Sequence, residues 1–263
     1  MLTVISPAKK LDERPRKLTG GALSAPEFAS AAMRLVAAAR ALSVADLQAL
    51  MGLSEPLARL NRDRFCNYRR SPVAGLVFPA IHCFAGDTYQ GLDAATLPAD
   101  ALRWAEGHLR ILSGLYGLLR PFDAIQPYRL EMGSRLATAK APDLYAFWGD
   151  RIAKALNAAA REAGTGVLVN CASVEYFRVA DRKVLNLRVI SPVFLDGRAA
   201  DAKVISFFAK RARGAMARFI AEQRLTDPAD LHAFAAGGYV YRPDLSGEDR
   251  PVFLREAVAE DAA

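Results

Sequence analysis

The sequence predicts a single domain of the α+β (mixed α/β) class, in which helices surround a mixed β-sheet. Short apolar runs of strand length and longer amphipathic stretches occur along the whole chain. The 263 residues are enough to bury a sizeable core, and 52% hydrophobic with 24% charged residues is ordinary for a globular protein. No internal repeat, low-complexity tract or clear linker divides the chain, so residues 1–263 are predicted to form one domain.

The N-terminal third is predicted to hold one strand, a basic loop and three helices. Leu2–Ile5 is apolar and β-branched, as in a strand, and the loop after it carries Lys9 and Lys10. Ser43 with Asp46 three residues later has the pattern of a capping box, which starts a helix. The predicted elements are a strand at 2–5, a loop at 6–21 and helices at 26–41, 44–51 and 55–65.

Residues 43–66 are similar to a helix-hairpin-helix element. Gly52 and Leu53 form the turn, and Ser54, where such elements have a second Gly, is predicted to cap the next helix. Backbone N–H groups of such a turn hold a DNA phosphate without reading bases, whereas an ordinary corner between two helices is the alternative. The arginines that follow, with Asp63 as the single acidic residue, favour phosphate binding. They are Arg59, Arg62, Arg64, Arg69 and Arg70.

The stretch His108–Gly133 is predicted to be an irregular crossing held by apolar anchors. Residues 109–112 suit a short buried strand, and residues 115–119 are compatible with one helical turn that a proline ends. Irregular backbone of this kind often carries function. Alternatively, its arginines pair with neighbouring acids and only hold the loop in place. The polar groups that it is expected to present are Arg120, Arg129 and Glu131, and Tyr128 is a further candidate site residue.

Strands and helices are predicted to alternate through the rest of the chain. Pro79 limits an apolar run to a strand at 80–84, and five apolar residues on one face predict a helix at 143–163. The segment Gly86–Tyr89 is predicted to be a turn, and Glu175 to open a short helix. Further strands are predicted at 167–169, 184–195, 203–207, 237–240 and 252–254, the last two at sheet edges, with a helix at 98–107. The tail from about residue 244 is acidic and is predicted to be loose toward its end.

A basic helix is predicted directly after residue 207. Five basic and no acidic residues lie between Lys203 and Ala221, among them Lys210, Arg211 and Arg213. A solvated face is one interpretation, but such a face would repel itself without compensating acids, so the pattern favours an anion site.

Composition limits the classes of function. The net charge of +7 suggests an anionic partner, such as nucleic acid or a phosphorylated small molecule. No leader or membrane-spanning run is evident, so we expect a cytoplasmic protein without membrane contact. The sequence does not determine the oligomeric state, and a monomer is the expectation. Three scattered Cys and three scattered His indicate neither disulfides nor a metal site, and no cofactor motif occurs, so no metal and no cofactor are predicted.

Motifs along nearly the whole chain resemble the YaaA family, the peroxide stress resistance proteins of bacteria. The longest, LSGLYGLLRP-x-D-x-I-x-PYRLEMG, lies within His108–Gly133. Ala85 and Cys171 depart from the Lys and Leu that the family often carries there. The other matching segments are 5–9, 86–92, 144–148, 170–176 and 209–214.

The resemblance implies a cytoplasmic protein that limits peroxide damage, is associated with lower free iron, and binds double-stranded DNA, including bent or damaged duplexes, in a basic cleft. No base-reading helix is evident, so nonspecific or structure-selective binding is expected. The predicted nucleic-acid or anion contacts are Lys9, Lys10, Gly52, Leu53, Ser54, Arg59, Arg120, Arg129, Lys210, Arg211 and Arg213.

An enzyme that acts on a nucleotide, nucleobase or other small anion is the alternative, because the motifs are each polar at one end and together suggest a folded pocket. No motif names the reaction. The candidate catalytic residues are Asp87, Tyr128, Glu131, Asn170, Ser173 and Glu175.

Overall fold

The computed structural model describes residues 1–16, 18–72, 75–198 and 200–256, and it confirms mixed α and β structure. Residues 257–263, the end of the predicted loose tail, lie outside the described part. The helices are α1 (Ala29–Arg40), α2 (Val44–Met51), α3 (Glu55–Asn67), α4 (Ala80–Cys83), α5 (Asp87–Leu92), α6 (Ala99–His108), α7 (Leu144–Trp148), α8 (Arg151–Glu162), α9 (Val174–Phe177) and α10 (Ser206–Gln223). The strands are β1 (Leu2–Ile5), β2 (Phe78–Pro79), β3 (Leu109–Ser113), β4 (Gly117–Leu119), β5 (Ala124–Ile125), β6 (Val167–Cys171), β7 (Arg188–Ile190), β8 (Val193–Asp196), β9 (Val240–Tyr241) and β10 (Val252–Arg255).

The main sheet has five strands in the order β4-β3-β1-β6-β7. Strands β1, β3, β6 and β7 are parallel, and β4 pairs antiparallel with β3. Ile5 at the end of β1 pairs with Ile111 on one side and with Cys171 on the other. The residues that follow β1, β3 and β6 therefore meet at one edge of the sheet, the carboxyl edge, where open α/β sheets usually bind their ligands.

A second sheet of three strands has the order β8-β10-β9. β10 is its central strand, parallel to β8 and antiparallel to β9, which corrects the prediction that 252–254 lies at an edge. Phe194 and Phe253 stack with ring centroids 5.5 Å apart and are buried. This aromatic contact explains why the last described part of the acidic tail is held in a sheet rather than loose.

Helix α10 packs on α5 at unusually short range. A Cβ atom on Gly214 would come 1.7 Å from the carbonyl oxygen of Thr88, and one on Gly91 would come 1.9 Å from that of Arg211. Only glycine allows backbones to approach this closely. Since α10 also contacts β1 and β6, this packing fixes its basic residues relative to the main sheet.

The irregular segment 114–117 wraps around a buried tryptophan. The indole N–H of Trp148 donates to the carbonyl oxygen of Gly114 at 3.0 Å, and a Cβ on Gly117 (φ +73°) would meet the indole ring at 2.7 Å. This contact turns the chain back as strand β4, so the predicted helical turn at 115–119 is wrong. The strand at 109–112 is confirmed as part of β3.

Two segments have a secondary structure that differs from the prediction. Residues 80–83 form helix α4 instead of a strand, because Ala80 and Ile81 donate their N–H groups to the carbonyl oxygens of Asp123 and Pro121 rather than to a strand. A short apolar run does not distinguish a strand from a buried helix. The predicted turn at Gly86–Tyr89 is likewise the start of α5.

The helix predicted at 143–163 is two helices. Gly149, with φ +51° and ψ −127°, separates α7 from α8, and Asp143 caps α7 by accepting the N–H of Ala146 at 2.8 Å. Trp148 is fully buried, whereas Phe147 is partly exposed.

Three predicted strands are shorter than expected or missing. Ser191 and Pro192 split 184–195 into β7 and β8. Residues 203–207 contain only an isolated bridge of Lys203 to Asp196 before α10 begins. At 237–240, Gly237 and Gly238 have positive φ, so pairing starts at Val240.

None of the helices in the described ranges is long and apolar enough to cross a membrane.

Candidate functional site at the carboxyl edge of the main sheet

Two serines join strands β1 and β6 at the carboxyl edge. The hydroxyl of Ser6, directly after β1, accepts the N–H of Ser173 at 2.9 Å and donates to the Ser173 hydroxyl at 3.3 Å. Tyr89 on α5 donates its hydroxyl proton to the carbonyl oxygen of Ser6 at 3.2 Å. Three motifs that are distant in sequence, 5–9, 86–92 and 170–176, therefore meet here.

The central stretch reaches the same edge through ion pairs. Glu131 forms ion pairs with Lys9 at 2.8 Å and with Arg129 at 3.3 Å, and its side chain is 13% exposed. Glu175 accepts the N–H of Gly133 at 2.9 Å. Glu131 thus partly neutralises two cations predicted to contact a ligand. Arg129 is 16% exposed and pairs with Glu131. This agrees with the alternative interpretation, in which the arginines of this stretch pair with neighbouring acids.

A tyrosine network lies beneath this ion pair. The hydroxyl groups of Tyr128 and Ser113 are 2.6 Å apart and buried. Burial raises the pKa values of Tyr89, Tyr128 and Tyr176 well above the ordinary range of a phenol. These tyrosines are therefore neutral at physiological pH and suit hydrogen bonding rather than proton abstraction.

The space between these groups is small. A cavity of about 10 Å³ is lined by Lys9, Tyr128, Glu131 and Tyr176, among others. This volume is about that needed to hold one water molecule. In this conformation the cavity beside the ion pair of Lys9 with Glu131 has room for about one water molecule.

Helix α10 presents three cations that have no acidic partner in the described ranges. Lys210 and Arg211 are exposed and Arg213 is half-buried. Within the described ranges, no carboxylate oxygen lies within 4.0 Å of any of these three side chains. Arg218 differs, since it pairs with Glu222 at 2.7 Å and donates to the carbonyl oxygen of Asp93 at 2.9 Å.

Arg213 lies on the side of α10 that faces the main sheet. Burial lowers the pKa of its guanidinium. The positive charge of Arg213 lowers the pKa of Cys171, the last residue of β6. Burial of the Cys171 thiol has the larger and opposite effect, and it raises the pKa to about 12. Cys171 is thus an unreactive core thiol, and Arg213 brings a positive charge close to the carboxyl edge.

The turn between α2 and α3 is fully formed. Ser43 and Asp46 make the predicted capping box, and Gly52 ends α2 with φ +60°. Ser54 occupies the position before α3, but its side chain makes no capping hydrogen bond, which corrects the predicted cap. The first backbone N–H groups of α3 thus lack this intramolecular acceptor, and Leu53 is buried under the turn.

Two of the five arginines along α3 and beyond are compensated. Arg59 donates to Glu55 at 3.0 Å, and Arg64 pairs with Glu13 of the basic loop. Arg62 is exposed and has no carboxylate within 4.0 Å in the described ranges. The pairing of Arg64 also places the loop that carries Lys10 beside α3.

Arg120 lies away from the other predicted contacts. It follows β4, which runs antiparallel to β3, so it sits at the opposite edge of the sheet from Lys9. There it pairs with Asp123 at 3.2 Å and donates to the carbonyl oxygen of Ala25 at 3.2 Å. The structure does not bring Arg120 together with the cations of α10.

Two of the candidate catalytic residues hold backbone in place. The Asn170 side-chain oxygen accepts the N–H of Ala172 at 3.0 Å, and the Ser173 hydroxyl caps α9. Asp87 is the first residue of α5, where Gly86 packs against Ala8. In the described ranges, no group of three or more His, Cys, Asp or Glu is arranged to hold a metal ion.

Ser6, Ser113, Tyr89 and Tyr176 are site residues that reasoning from sequence missed. All four lie within the motifs quoted for the family resemblance, which was the available signal. Their hydrogen-bond partners depend on the order of the strands in the sheet, which cannot be read from the sequence.

Comparison with known proteins agrees with this layout of motifs. Residues 1–245 match the family model described as peroxide stress protein YaaA. A UPF0246 protein of Ruegeria pomeroyi is 58% identical over 255 residues, covering 97% of this chain and 98% of the relative. One of Cereibacter sphaeroides is 60% identical over 257 residues (97% and 99%), and one of Jannaschia sp. is 54% identical over 263 residues (100% of both). The chain belongs to the family of the peroxide stress protein YaaA.

Proposed function

We propose that this chain is a cytoplasmic, monomeric protein of the peroxide stress response that binds double-stranded DNA through its phosphates. The observation that carries the proposal is the set of cations on α10, Lys210, Arg211 and Arg213, that have no carboxylate partner in the described ranges. Uncompensated cations fixed on one helix favour a polyanion. The net charge of +7 acts in the same direction.

The turn 52–54 supplies a second phosphate contact in this proposal. The N–H groups at the start of α3 are free of a side-chain cap, and the positive end of a helix attracts phosphate. Arg62 adds an exposed charge on the same helix. None of these groups is arranged to read bases, so binding depends on DNA structure or on charge alone.

Limitation of iron damage follows from the same contacts. Duplex DNA holds a layer of condensed cations, and each phosphate that a protein neutralises releases some of them. A protein that covers phosphates therefore removes Fe²⁺ from the DNA surface, where reaction with peroxide would damage the bases. This role requires no iron site on the protein.

A binding assay with matched charge changes tests the proposal. Affinity for duplex, bent and single-stranded DNA is measured across a salt series for the wild type and for Lys210→Ala with Arg211→Ala. The control is Arg188→Ala with Arg224→Ala, which removes two exposed arginines that already pair with acids. We expect a steep salt dependence for the wild type and a loss of about tenfold or more only in the α10 variant. Equal loss in both variants, or affinity independent of salt, contradicts the proposal.

A second candidate function is catalysis on a small anionic substrate, and Arg213 is the observation that favours it. A half-buried guanidinium without an acidic partner in the described ranges lies near the edge where Ser6, Ser173 and Glu175 meet. Such a group suits one bound phosphate or carboxylate better than a duplex surface.

High salt separates the two functions. At salt that abolishes DNA binding, a shift in melting temperature produced by nucleoside monophosphates and lost in Arg213→Gln supports the small-substrate function. No shift with any nucleotide leaves DNA binding as the function of this face.

A further inference from the structure

A second cavity lies at the opposite edge of the main sheet from the candidate site. It has a volume of about 310 Å³, at the lower end of the ~300–1,000 Å³ of small-molecule sites. One wall is apolar and is formed by three alanines of α8 with two leucines of β4. These residues are Ala155, Ala158, Ala159, Leu118 and Leu119.

A buried arginine lines the inner end of this cavity. Arg110 is 6% exposed, and its Nη1 donates to the carbonyl oxygens of Glu106 and Leu109, each at 2.9 Å. In the described ranges no carboxylate lies within 4.0 Å of the guanidinium, and its Nε and Nη2 have no protein acceptor. Neither atom is sealed from solvent, unlike Nε of Arg129 and of Arg182. Arg110 therefore has donors directed to the cavity that the protein leaves unused.

Acidic side chains stand at the mouth of the same cavity. Glu27 and Glu162 line it, are exposed, and have no Lys or Arg within 4.0 Å in the described part of the chain. The other charged pair of the cavity is satisfied internally, because Arg120 and Asp123 bind each other. The unsatisfied charges are thus one buried cation inside and two carboxylates outside.

This arrangement discriminates between ligand classes. A simple anion bound at Arg110 would share the cavity with Glu27 and Glu162, and a simple cation would share it with Arg110. A metal ion lacks ligands, since no group of three or more suitable side chains occurs in the described ranges. A zwitterion satisfies both ends, because a carboxylate can take two N–H donors of Arg110 while an ammonium group stays near the rim acids.

We propose that this cavity binds a small zwitterion of the α-amino acid class. The ligand carboxylate lies on Arg110, the ammonium group faces Glu27 and Glu162, and an aliphatic side chain packs on the alanine face of α8. The proposal is independent of DNA binding, because the cavity shares none of the cations of α10.

Three matched probes test the ligand class on the full-length protein. L-valine carries both charges, isobutylamine lacks its carboxylate, and isovalerate lacks its ammonium group. Dissociation constants come from NMR chemical-shift titration, with glycine and L-leucine added to measure the contribution of the side chain. We expect valine to bind at least about tenfold more tightly than either half, since each half lacks one of the two charge-assisted contacts. Equal binding of isovalerate shows a plain anion site, and absence of valine binding at millimolar concentration overturns the proposal.

Variants test the two ends separately. Glu27→Gln with Glu162→Gln should weaken valine binding severalfold and leave isovalerate unchanged or tighter. Arg110→Met should abolish both. If this buried substitution unfolds the protein, the exposed double variant carries the test. Glu248→Gln, an exposed acid paired with Arg188 far along the chain, is the control. Unchanged valine affinity in the double variant overturns the placement of the ammonium group.

Discussion

The hydroxyl of Ser6 accepts the backbone N–H of Ser173 at 2.9 Å, and so links the ends of β1 and β6. Loss of the hydroxyl would leave a partly buried N–H without an acceptor, which costs about 1–3 kcal/mol. We expect Ser6→Ala to lower the free energy of unfolding by that amount in urea denaturation. Ser71→Ala, at an exposed position, is the control, and equal stability of the two variants would refute the linking role.

Gly214 should not tolerate a side chain. An added Cβ would lie 1.7 Å from the carbonyl oxygen of Thr88, so Gly214→Ala must separate α10 from α5. We expect a loss of several kcal/mol or no folded protein, measured by thermal melting. Gly107→Ala is the matched control, because a Cβ there meets no atom within 4 Å and alanine favours the helix. A folded Gly214→Ala protein of wild-type stability would show that the two helices are not tightly packed.

Lys9 should contribute little to stability. It is 67% exposed, and exposed ion pairs contribute ~0–1 kcal/mol. Lys9→Ala should therefore melt within a few degrees of the wild type, whereas Glu131→Ala should cost more because it leaves Arg129, which is 16% exposed, without its acid. Urea titration of both variants checks the order, and the reverse order would contradict the geometry.

Stability should fall as the pH drops below about 6.5. Burial lowers the pKa of His82 and of His108 below the ordinary 6.5, so the unfolded chain binds more protons than the folded one in this range. The stability present above pH 6.5 is lost progressively as the pH falls toward the folded pKa values. His82→Gln should reduce the slope of unfolding free energy between pH 7 and 5, and an unchanged slope would exclude His82 as a contributor.

The sequence predicts best the elements whose signals are local. The capping pattern of Ser43 and Asp46 predicts the start of α2 correctly, and Gly52 marks its end. Prediction fails where distant contacts decide, as at 115–119, which Trp148 turns into a strand, and at 80–83, where Pro121 and Asp123 supply helix-compatible acceptors.

The candidate site shows the same limit. Cations on a single helix, Lys210, Arg211 and Arg213, could be grouped from sequence because they are neighbours in it. The separation of Arg120 from Lys9 could not, because it depends on β4 running back along β3. Whether a cation has an acidic partner also depends on residues that are distant in the sequence, as Glu13 is from Arg64.

The central position of β1 has a consequence for biosynthesis. Thr3 pairs with Leu109 on one side and with Val169 on the other, so the strand that leaves the ribosome early waits for both partners. Until residues 167–171 emerge, at least one edge of this apolar strand has no partner on the nascent chain. Long-range pairing of this kind folds slowly and is prone to aggregation. The main sheet therefore cannot be completed until β6 has been synthesised.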